Sequence, residues 1–228
     1  FDLGYQEVVG LVGDNGAGKS TLIKILSGAH PPTQGTIYFE GKKVEINTPK
    51  DAKELGIETV YQDLALAENL DVASNIFLGR EFKVGGLGRV FRIIDKKKNC
   101  QEADRVMRSL EIEIASPRTL VQNLSGGQRQ AVAIGKTVYL SPKVIIMDEP
   151  TANISVKERE KVLELAQRLK QRGISVIFIS HNIHEVFSVV DRVVVLNRGM
   201  KVGDKKVNDT SINEVVKLMI GRQGSITY

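Results

Sequence analysis

Short, nearly continuous apolar runs separated by polar and glycine-rich segments predict buried strands that alternate with helices. The clearest runs are residues 7–12, 143–150 and 174–180, which are rich in valine and isoleucine. A charged segment with helical periodicity, residues 156–172, connects the last two runs. Buried strands joined by crossover helices are typical of a parallel sheet. The pattern therefore predicts an α/β fold.

Alternating apolar and polar positions add an antiparallel β portion to this prediction. Residues 35–46 alternate around a turn at Glu40-Gly41, and residues 192–207 give a second hairpin pattern. The same criteria predict three further short elements, which are helices at residues 51–55 and 212–220 and a strand at residues 56–62.

Residues 63–140 differ from the rest of the chain, because helical periodicity replaces the strand-like runs. A glycine-rich break at residues 85–88 interrupts the pattern, and residues 95–110 have helical spacing. We therefore expect one domain whose core comprises residues 1–62 and 141–228 and whose inserted helical subdomain comprises residues 63–140.

Composition excludes several classes of protein. With 228 residues, 42% of them hydrophobic, the chain can bury a sizeable core, so neither a disordered chain nor a disulfide-stapled miniprotein is expected. The single cysteine, Cys100, cannot form an internal disulfide, which favours a reducing cytoplasm. No run approaches the roughly 18 apolar residues of a spanning helix, so we do not expect the chain to cross a membrane by itself. Because Phe1 leads almost directly into an apolar strand, we expect a further segment before it.

Residues 13–20, GDNGAGKS, match the phosphate-binding pattern G-x-x-x-x-G-K-[ST] between a predicted strand and a predicted helix. Its glycines let backbone N–H groups face phosphate oxygens at the positive end of a helix. Lys19 is then placed to reach the terminal phosphates and Ser20 to coordinate magnesium. A purely structural turn does not require lysine and serine directly after the last glycine. The predicted phosphate-binding residues are Gly13, Asp14, Asn15, Gly16, Ala17, Gly18, Lys19, Ser20 and Thr21.

Two acidic residues end the second strand run, where ligands of α/β proteins bind. Asp148 is placed to hold magnesium through water, and Glu149 to take a proton from an attacking water. The alternative is a helix cap, because Asp-Glu-Pro often starts a helix. The phosphate loop upstream favours the catalytic interpretation. Gln62 and His181 follow other predicted strands and reach the same rim, although a lone histidine there is more often a surface group.

A second glycine-rich helix start follows in the predicted subdomain. Ser125, Gly126, Gly127 and Gln128 precede a helix-like segment and could bind phosphate at its N-terminus. Read without the phosphate loop, Ser125 is equally well a helix N-cap with glycines for a tight entry. Both interpretations remain open at this point.

The set of motifs resembles the nucleotide-binding domain of ATP-binding-cassette (ABC) proteins, and all of the motifs occur in that family's order. GDNGAGKST is similar to the Walker A loop, Gln62 to the Q-loop, LSGGQ at residues 124–128 to the signature, VIIMDEP to Walker B and His181 to the switch histidine. The resemblance implies a P-loop NTPase (RecA-like) core with an antiparallel β portion and an inserted helical subdomain. It also implies ATP and Mg²⁺ as ligands.

The resemblance further implies roles for individual residues. The catalytic residues would be Glu149, His181, Gln62 and Lys19, with Glu149 as the base and His181 stabilising the γ-phosphate. The magnesium ligands would be Ser20, Gln62 and Asp148. Two such domains would pair head to tail, so that the signature residues Ser125 and Gly127 of one contact the γ-phosphate held by Lys19 of the other. A lone domain would then be nearly inactive.

A narrower resemblance, carried by GDNGAGKST, GTIYFEGKKV and EPTANISVKE, is to the ATPase subunits of bacterial monosaccharide importers of the ribose, xylose and fructose type. It implies a place on the cytoplasmic face of the membrane, transmembrane permease subunits as partners and, indirectly, an extracytoplasmic sugar-binding protein. No nucleic acid is expected. The chain departs from the wider family at Ser155, where many members carry aspartate, and at Asn153, which replaces a more usual alanine.

Two other functions remain possible from the sequence. The basic composition, with net charge +5, gives mild support to a soluble ABC ATPase acting on ribosomes or DNA, although no basic arm is present. Alternatively, the chain is one half of a tandem fused ATPase, since LMIGR at residues 218–222 resembles the junction of such halves. The apolar segment 64–78 is either a groove for a permease helix or core of the helical subdomain.

Overall fold

The computed structural model describes residues 1–85 and 93–221, and their contacts separate into two compact units. The first unit contains Phe1–Gln62, Pro142–Ala152 and residues 166–221. The second contains residues 63–85, 93–141 and Asn153–Leu165. Most of the predicted glycine-rich break, residues 86–88, lies outside the described residues.

The division into units differs from the predicted boundaries at Ser141 and at residues 153–165, which belong with the second unit. Side chains of the later segment explain this grouping. The Glu158 carboxylate accepts a hydrogen bond from the backbone N–H of Gly127, and Lys161 pairs with Glu113. Such contacts join segments far apart in sequence, so the pattern of apolar residues did not indicate them.

A six-stranded sheet forms the centre of the first unit, in the order β4-β5-β6-β1-β7-β8. The first five of these strands are parallel, and β7 and β8 form an antiparallel hairpin. This arrangement confirms the predicted α/β fold. The strands are β1 (Val8–Val12), β4 (Ile57–Val60), β5 (Val144–Asp148), β6 (Ser175–Ile179), β7 (Arg192–Asn197) and β8 (Met200–Lys206). The predicted first hairpin is present as the separate antiparallel pair β2 (Ile37–Phe39) and β3 (Lys42–Val44).

The helices of the described residues include the four with predicted bounds, at residues 51–55, 95–110, 156–172 and 212–220, each within two residues of its prediction, and others for which no bounds were predicted. These helices are α1 (Lys19–Leu26), α2 (Pro49–Glu54), α3 (Val72–Ile76), α4 (Lys96–Ser109), α5 (Gly126–Val138), α6 (Val156–Gln171), α7 (Ile183–Val189) and α8 (Ile212–Ile220). Local capping explains several starts: Thr48, for example, accepts from the Asp51 N–H while Asp51 accepts from the Thr48 backbone. None of the helices in the described residues combines the length and apolar character needed to span a bilayer.

Strand register determines where the site residues lie. Strands β4, β5 and β6 are neighbours, with Met147 opposite Val60 and Asp148 opposite Ile179. Because the carboxyl ends of parallel strands meet at one edge of a sheet, the segments after these three strands share that edge. Every residue of β1 and β6 is buried, so these two strands lie in the core beneath that edge.

Apolar side chains of segment 64–78 contribute to the core of the second unit. Val72, Ala73, Ile76 and Phe77 are almost completely buried, together with residues of α4 and α5. Leu78, in contrast, is 48% exposed. The core interpretation therefore holds for four of these side chains.

Arg192 connects the first residues of the chain to the β7-β8 hairpin. Its guanidinium donates to Glu7 at 2.8 and 3.1 Å and to Asp204 at 2.6 Å, and its side chain is only 14% exposed. Burial opposes ionisation of both carboxyls, but the hydrogen bonds from Arg192 hold the pKa of Glu7 and of Asp204 below their ordinary values.

Replacing Arg192 by leucine is expected to lower the free energy of unfolding by about 2 kcal/mol at pH 7, because Glu7 loses its ion-pair partner and Asp204 keeps only Lys201. Carboxyls with depressed pKa values stabilise the fold above their ordinary pKa values of 4.5 and 3.8, and this stabilisation is lost as pH falls through the lowered values. Urea denaturation at pH 7 and pH 3 tests this. The exposed Arg105→Leu is the control and should cost well under 1 kcal/mol. An equal loss for Arg192→Leu at both pH values would contradict the prediction.

Candidate nucleotide site

The loop between β1 and α1 is shaped by its glycines. Gly16 and Gly18 have positive φ angles of 78° and 102°, in the left-handed region that favours glycine. At Gly13 the constraint is space, since a Cβ there would lie 2.4 Å from the carbonyl oxygen of Leu196 on β7. The spacing of glycines that predicted a phosphate loop is therefore also required by the backbone.

Lys19 brings positive charge to this loop. Its ammonium donates to the carbonyl oxygens of Gly13 at 2.6 Å and Asp14 at 3.1 Å. The N–H of Gly199, in the β7-β8 turn, donates to the Ala17 carbonyl and supports the loop from the other side. Ser20 is exposed in the first turn of α1. A cation, exposed backbone donors and a helix N-terminus together make a site for an anion such as a phosphate.

The structure brings Glu149 and His181 together at the same edge of the sheet, after strands β5 and β6. His181 Nδ1 lies 2.7 Å from Glu149 Oε2, and the Glu149 N–H donates to the carbonyl of Ile179. Glu149 has a φ of 50°, an unusual conformation for a glutamate, and its side chain is 17% exposed. The alternative interpretation of this segment as a helix cap is wrong, since α6 begins only at Val156.

Asp148 is half-buried at the end of β5. Burial raises the pKa of its carboxyl, the neighbouring charge of Glu149 raises it further, and the positive charge of Lys19 opposes both effects. Two carboxyls and one ammonium thus share this edge, where the excess of negative charge favours a cation. Gln62 is exposed two residues beyond the end of β4, on the neighbouring strand.

Replacing Asp148 by asparagine is expected to raise the free energy of unfolding by about 1 kcal/mol or less at pH 7, without divalent cations. A raised carboxyl pKa means that ionisation opposes folding. This penalty is complete above the raised value and vanishes below the ordinary value of 3.8, so the gain should disappear in acid. Thermal unfolding in EDTA measures the change, with the exposed Asp209→Asn as the control. A destabilised Asp148→Asn at pH 7 would contradict the prediction.

The second predicted phosphate-binding segment lies at the start of α5. Ser125 accepts from the Gln128 N–H at 3.3 Å, and Gln128 accepts from the Ser125 N–H at 3.1 Å. This reciprocal arrangement is a capping box, so the N-cap interpretation of Ser125 is confirmed. The box itself uses only the N–H groups of Ser125 and Gln128, so those of Gly126 and Gly127 are left for other acceptors.

Glu158 on α6 also contacts this helix start, and the sequence analysis did not identify it. Its carboxylate accepts from the Gly127 N–H at 3.2 Å and from the Ser155 hydroxyl at 2.8 Å. Hydrogen bonds from Ser125 and Ser155 lower the pKa of Glu158 to about 2. The available signal was the Ser155-x-x-Glu158 spacing, which is that of a capping box.

Comparison with known proteins identifies the family. The family model described as "ABC transporter" matches residues 1–152, which is more than half of the chain. The chain belongs to the ABC transporter family. It is therefore an ATP-binding ATPase, and the resemblance of its motifs to this family is confirmed.

Curated relatives of this ABC ATPase cover almost its whole length. It is 52% identical over 96% of its residues to a xylose/arabinose import ATP-binding protein of Sulfolobus acidocaldarius, and covers 85% of that protein. It is 42% identical over 97% of its residues to a fructose import ATP-binding protein of Rhizobium meliloti, 86% of which is covered. A ribose import ATP-binding protein of Geobacillus kaustophilus is 41% identical over 98% of the chain, but the chain spans only 44% of that relative.

Solved structures agree with this family. A nucleotide-free ATP-binding cassette from an ABC transporter matches with a TM-score of 0.80 at 25% identity, covering 98% of this chain and 87% of the other. A cassette in its ADP conformation matches with a TM-score of 0.81 at 25% identity, covering 97% and 91%. The predicted fold of the ABC ATPase is thus confirmed independently of its motifs.

Proposed function

We propose that this ABC ATPase drives the import of a monosaccharide by hydrolysing ATP. The observation that carries the proposal is its identity of 52% and 42% to a xylose/arabinose and a fructose import ATP-binding protein, each over nearly the whole chain. In this role it acts on the cytoplasmic face of the membrane, bound to transmembrane permease subunits. The permease receives its sugar from an extracytoplasmic sugar-binding protein.

The phosphates of ATP bind the loop of residues 13–21. Its backbone N–H groups and the Lys19 ammonium contact phosphate oxygens at the start of α1. Lys19 donates to two carbonyl oxygens of this loop, so its ammonium lies at the loop that would hold the phosphates. Binding to backbone groups explains why glycine spacing, together with Lys19 and Ser20, characterises the loop.

Three oxygen-bearing side chains would hold Mg²⁺, namely those of Ser20, Gln62 and Asp148. Magnesium prefers oxygen ligands, so a hydroxyl, an amide and a carboxylate fit it chemically. The pKa of Asp148 is raised by burial and, to a smaller extent, by the charge of Glu149, and a cation bound there would favour the ionised carboxylate against both effects. When bound, the ion neutralises charge on the β- and γ-phosphates.

Glu149 acts as the general base toward the attacking water. One of its oxygens, Oε2, contacts His181 Nδ1 at 2.7 Å, and the other, Oε1, can accept the proton. His181 is 78% exposed, so its ring can also contact a γ-phosphate held by Lys19. Gln62 contributes a neutral amide that orients the water without adding charge.

A second ATPase domain completes the site. Ser125, Gly126, Gly127 and Gln128 of one domain contact the γ-phosphate bound by the other, in a head-to-tail pair. The partner is either a second copy or the other half of a tandem ATPase, and the ribose import relative, of which the chain spans 44%, is compatible with the latter. Arg222, part of the segment that resembles a tandem junction, lies outside the described residues.

Closure of the two ATPase domains on Mg-ATP drives the permease to its outward-facing state, and ATP hydrolysis returns the permease to its starting state.

Partner capture tests this function. The full-length protein is tagged, host membranes are extracted in mild detergent with nuclease present, and co-purifying proteins are identified. Recovery of a polytopic permease is expected, and ATP hydrolysis by the recovered complex should rise when the matching sugar and binding protein are added. Recovery of ribosomal or DNA-repair proteins with no membrane protein would overturn the proposal and favour the soluble alternative. The recovered ATPase partner distinguishes a homodimer from a tandem pair.

A further inference from the structure

A buried carboxylate, that of Glu185 on α7, lies between the segments that follow β5 and β6. Glu185 is 7% exposed, and its two oxygens accept from different segments. The Thr151 hydroxyl donates to Oε2, and the Asn182 side-chain amide donates to Oε1 at 2.8 Å. The Ser180 hydroxyl lies 3.5 Å from Oε2. Thr151 and Ser180 are themselves almost completely buried.

These contacts are adjacent to the proposed catalytic pair in sequence. Thr151 follows Glu149 by two residues, and Ala152 closes the turn by donating to the Glu149 carbonyl at 3.1 Å. Ser180 and Asn182 flank His181 directly. One side chain therefore connects the two segments whose separation determines the 2.7 Å contact between Glu149 and His181.

Packing alone does not require a carboxylate at this position. Burying a charged group is unfavourable unless it is fully hydrogen-bonded, and an apolar residue would fill the same volume at lower cost. A carboxylate differs in accepting several hydrogen bonds at once without presenting a donor. Here the Glu185 carboxylate accepts from Thr151 and Asn182. Glu149, two residues before Thr151, has a φ of 50°, an unfavourable conformation that contacts with the surrounding structure must maintain.

We propose that Glu185 is a positioning residue for ATP hydrolysis, holding the Thr151 and Asn182 segments so that His181 stays within hydrogen-bond distance of Glu149. This inference rests on the proposed function, in which Glu149 is the base. Glu185 does not touch the nucleotide in this scheme. Its loss therefore affects the chemical step more than ATP binding.

Glu185→Gln is the first test, because glutamine keeps the volume but turns one acceptor oxygen into an amide donor. That donor opposes the Asn182 amide if it faces Asn182, and it reverses the hydrogen bond of the hydroxyl if it faces Thr151. The expected result is a kcat about 10-fold lower, with KM for ATP within about 2-fold, since a small misplacement of catalytic groups slows chemistry. Ser188→Ala is the matched control. Ser188 lies on the same helix and donates to the Glu185 backbone carbonyl, so kcat should stay unchanged.

Two substitutions of Thr151 test the proposal even if the Glu185→Gln variant does not fold. Thr151→Ser keeps the hydroxyl and should retain kcat, whereas Thr151→Val keeps the shape and should lower kcat about as much as Glu185→Gln. Thermal unfolding of each variant identifies any that are merely unstable at the assay temperature. Equal kcat values for Thr151→Ser and Thr151→Val would overturn the proposal.

A double-mutant cycle with His181→Ala separates positioning from general stability. If Glu185 acts through the Glu149–His181 contact, Glu185→Gln should add little to the loss in the His181→Ala background, measured in single-turnover assays. A further 10-fold loss there, or a normal kcat for Glu185→Gln alone, would overturn the inference. Failure of the proposed function looks different, because then the parent protein would not hydrolyse ATP or Glu149→Gln would leave turnover unchanged.

Discussion

Replacing Glu149 by glutamine is expected to lower ATP turnover by about 100-fold or more and to leave ATP binding nearly unchanged. Glutamine preserves the shape of the side chain and its hydrogen bond to His181, but it cannot accept a proton from water. The effect is confined to chemistry because, in the proposed scheme, Glu149 accepts a proton from water, whereas the loop of residues 13–21 holds the phosphates.

The measurement is phosphate release by the assembled transporter at saturating Mg-ATP, together with equilibrium binding of ATP. Glu40→Gln is the control, because Glu40 is an exposed carboxylate whose partner, Lys143, is also exposed. Turnover of that variant should match the parent. Turnover unchanged in Glu149→Gln would remove Glu149 from the role of general base.

Replacing Lys19 by alanine is expected to weaken ATP binding by about 100-fold, which corresponds to roughly 3 kcal/mol and to the loss of a charge-assisted contact with phosphate. The same change removes the ammonium that donates to Gly13 and Asp14 within the loop. Turnover should fall with binding, because poorly held phosphates are poorly aligned for attack.

Binding of a fluorescent ATP analogue in the presence of Mg²⁺ measures this loss directly. Lys24→Ala offers a control on the same helix, since Lys24 is exposed in the last turn of α1 and away from the loop. The affinity of the Lys24→Ala variant for the ATP analogue should equal that of the parent protein. Comparable weakening in both variants would indicate a general effect of positive charge, in conflict with a specific phosphate contact by Lys19.

Local sequence patterns predicted the elements that depend on few neighbouring residues. The phosphate loop is recognisable because its glycine and lysine spacing is complete within eight residues, 13–20. The helix start at Ser125 relies on a capping box within four residues, whereas the box at Thr48 begins its helix two residues before the predicted segment 51–55. The hairpin formed by β2 and β3 depends on alternation around Glu40 and Gly41. In each case the residues whose interactions decide the local structure lie close together in the sequence.

Contacts within the second unit were less accessible to sequence reasoning. Glu158 and Gly127 are 31 positions apart, and nothing in either neighbourhood indicates that a carboxylate reaches that backbone N–H. The grouping of residues 153–165 with this unit follows from such contacts. The periodicity of α6 showed a helix, but periodicity alone does not indicate which elements a helix packs against.

The sequence alone determined most of the strands and helices, the phosphate loop and the family to which the motifs point. Tertiary structure decided that β1 lies between β6 and β7, that Glu149 meets His181 across 32 positions, and that Glu185 connects their segments. The physical reason is that local patterns follow from backbone preferences and nearby side chains. Parallel strand order, by contrast, arises from burial and hydrogen bonding between distant segments, whose partners no local pattern specifies.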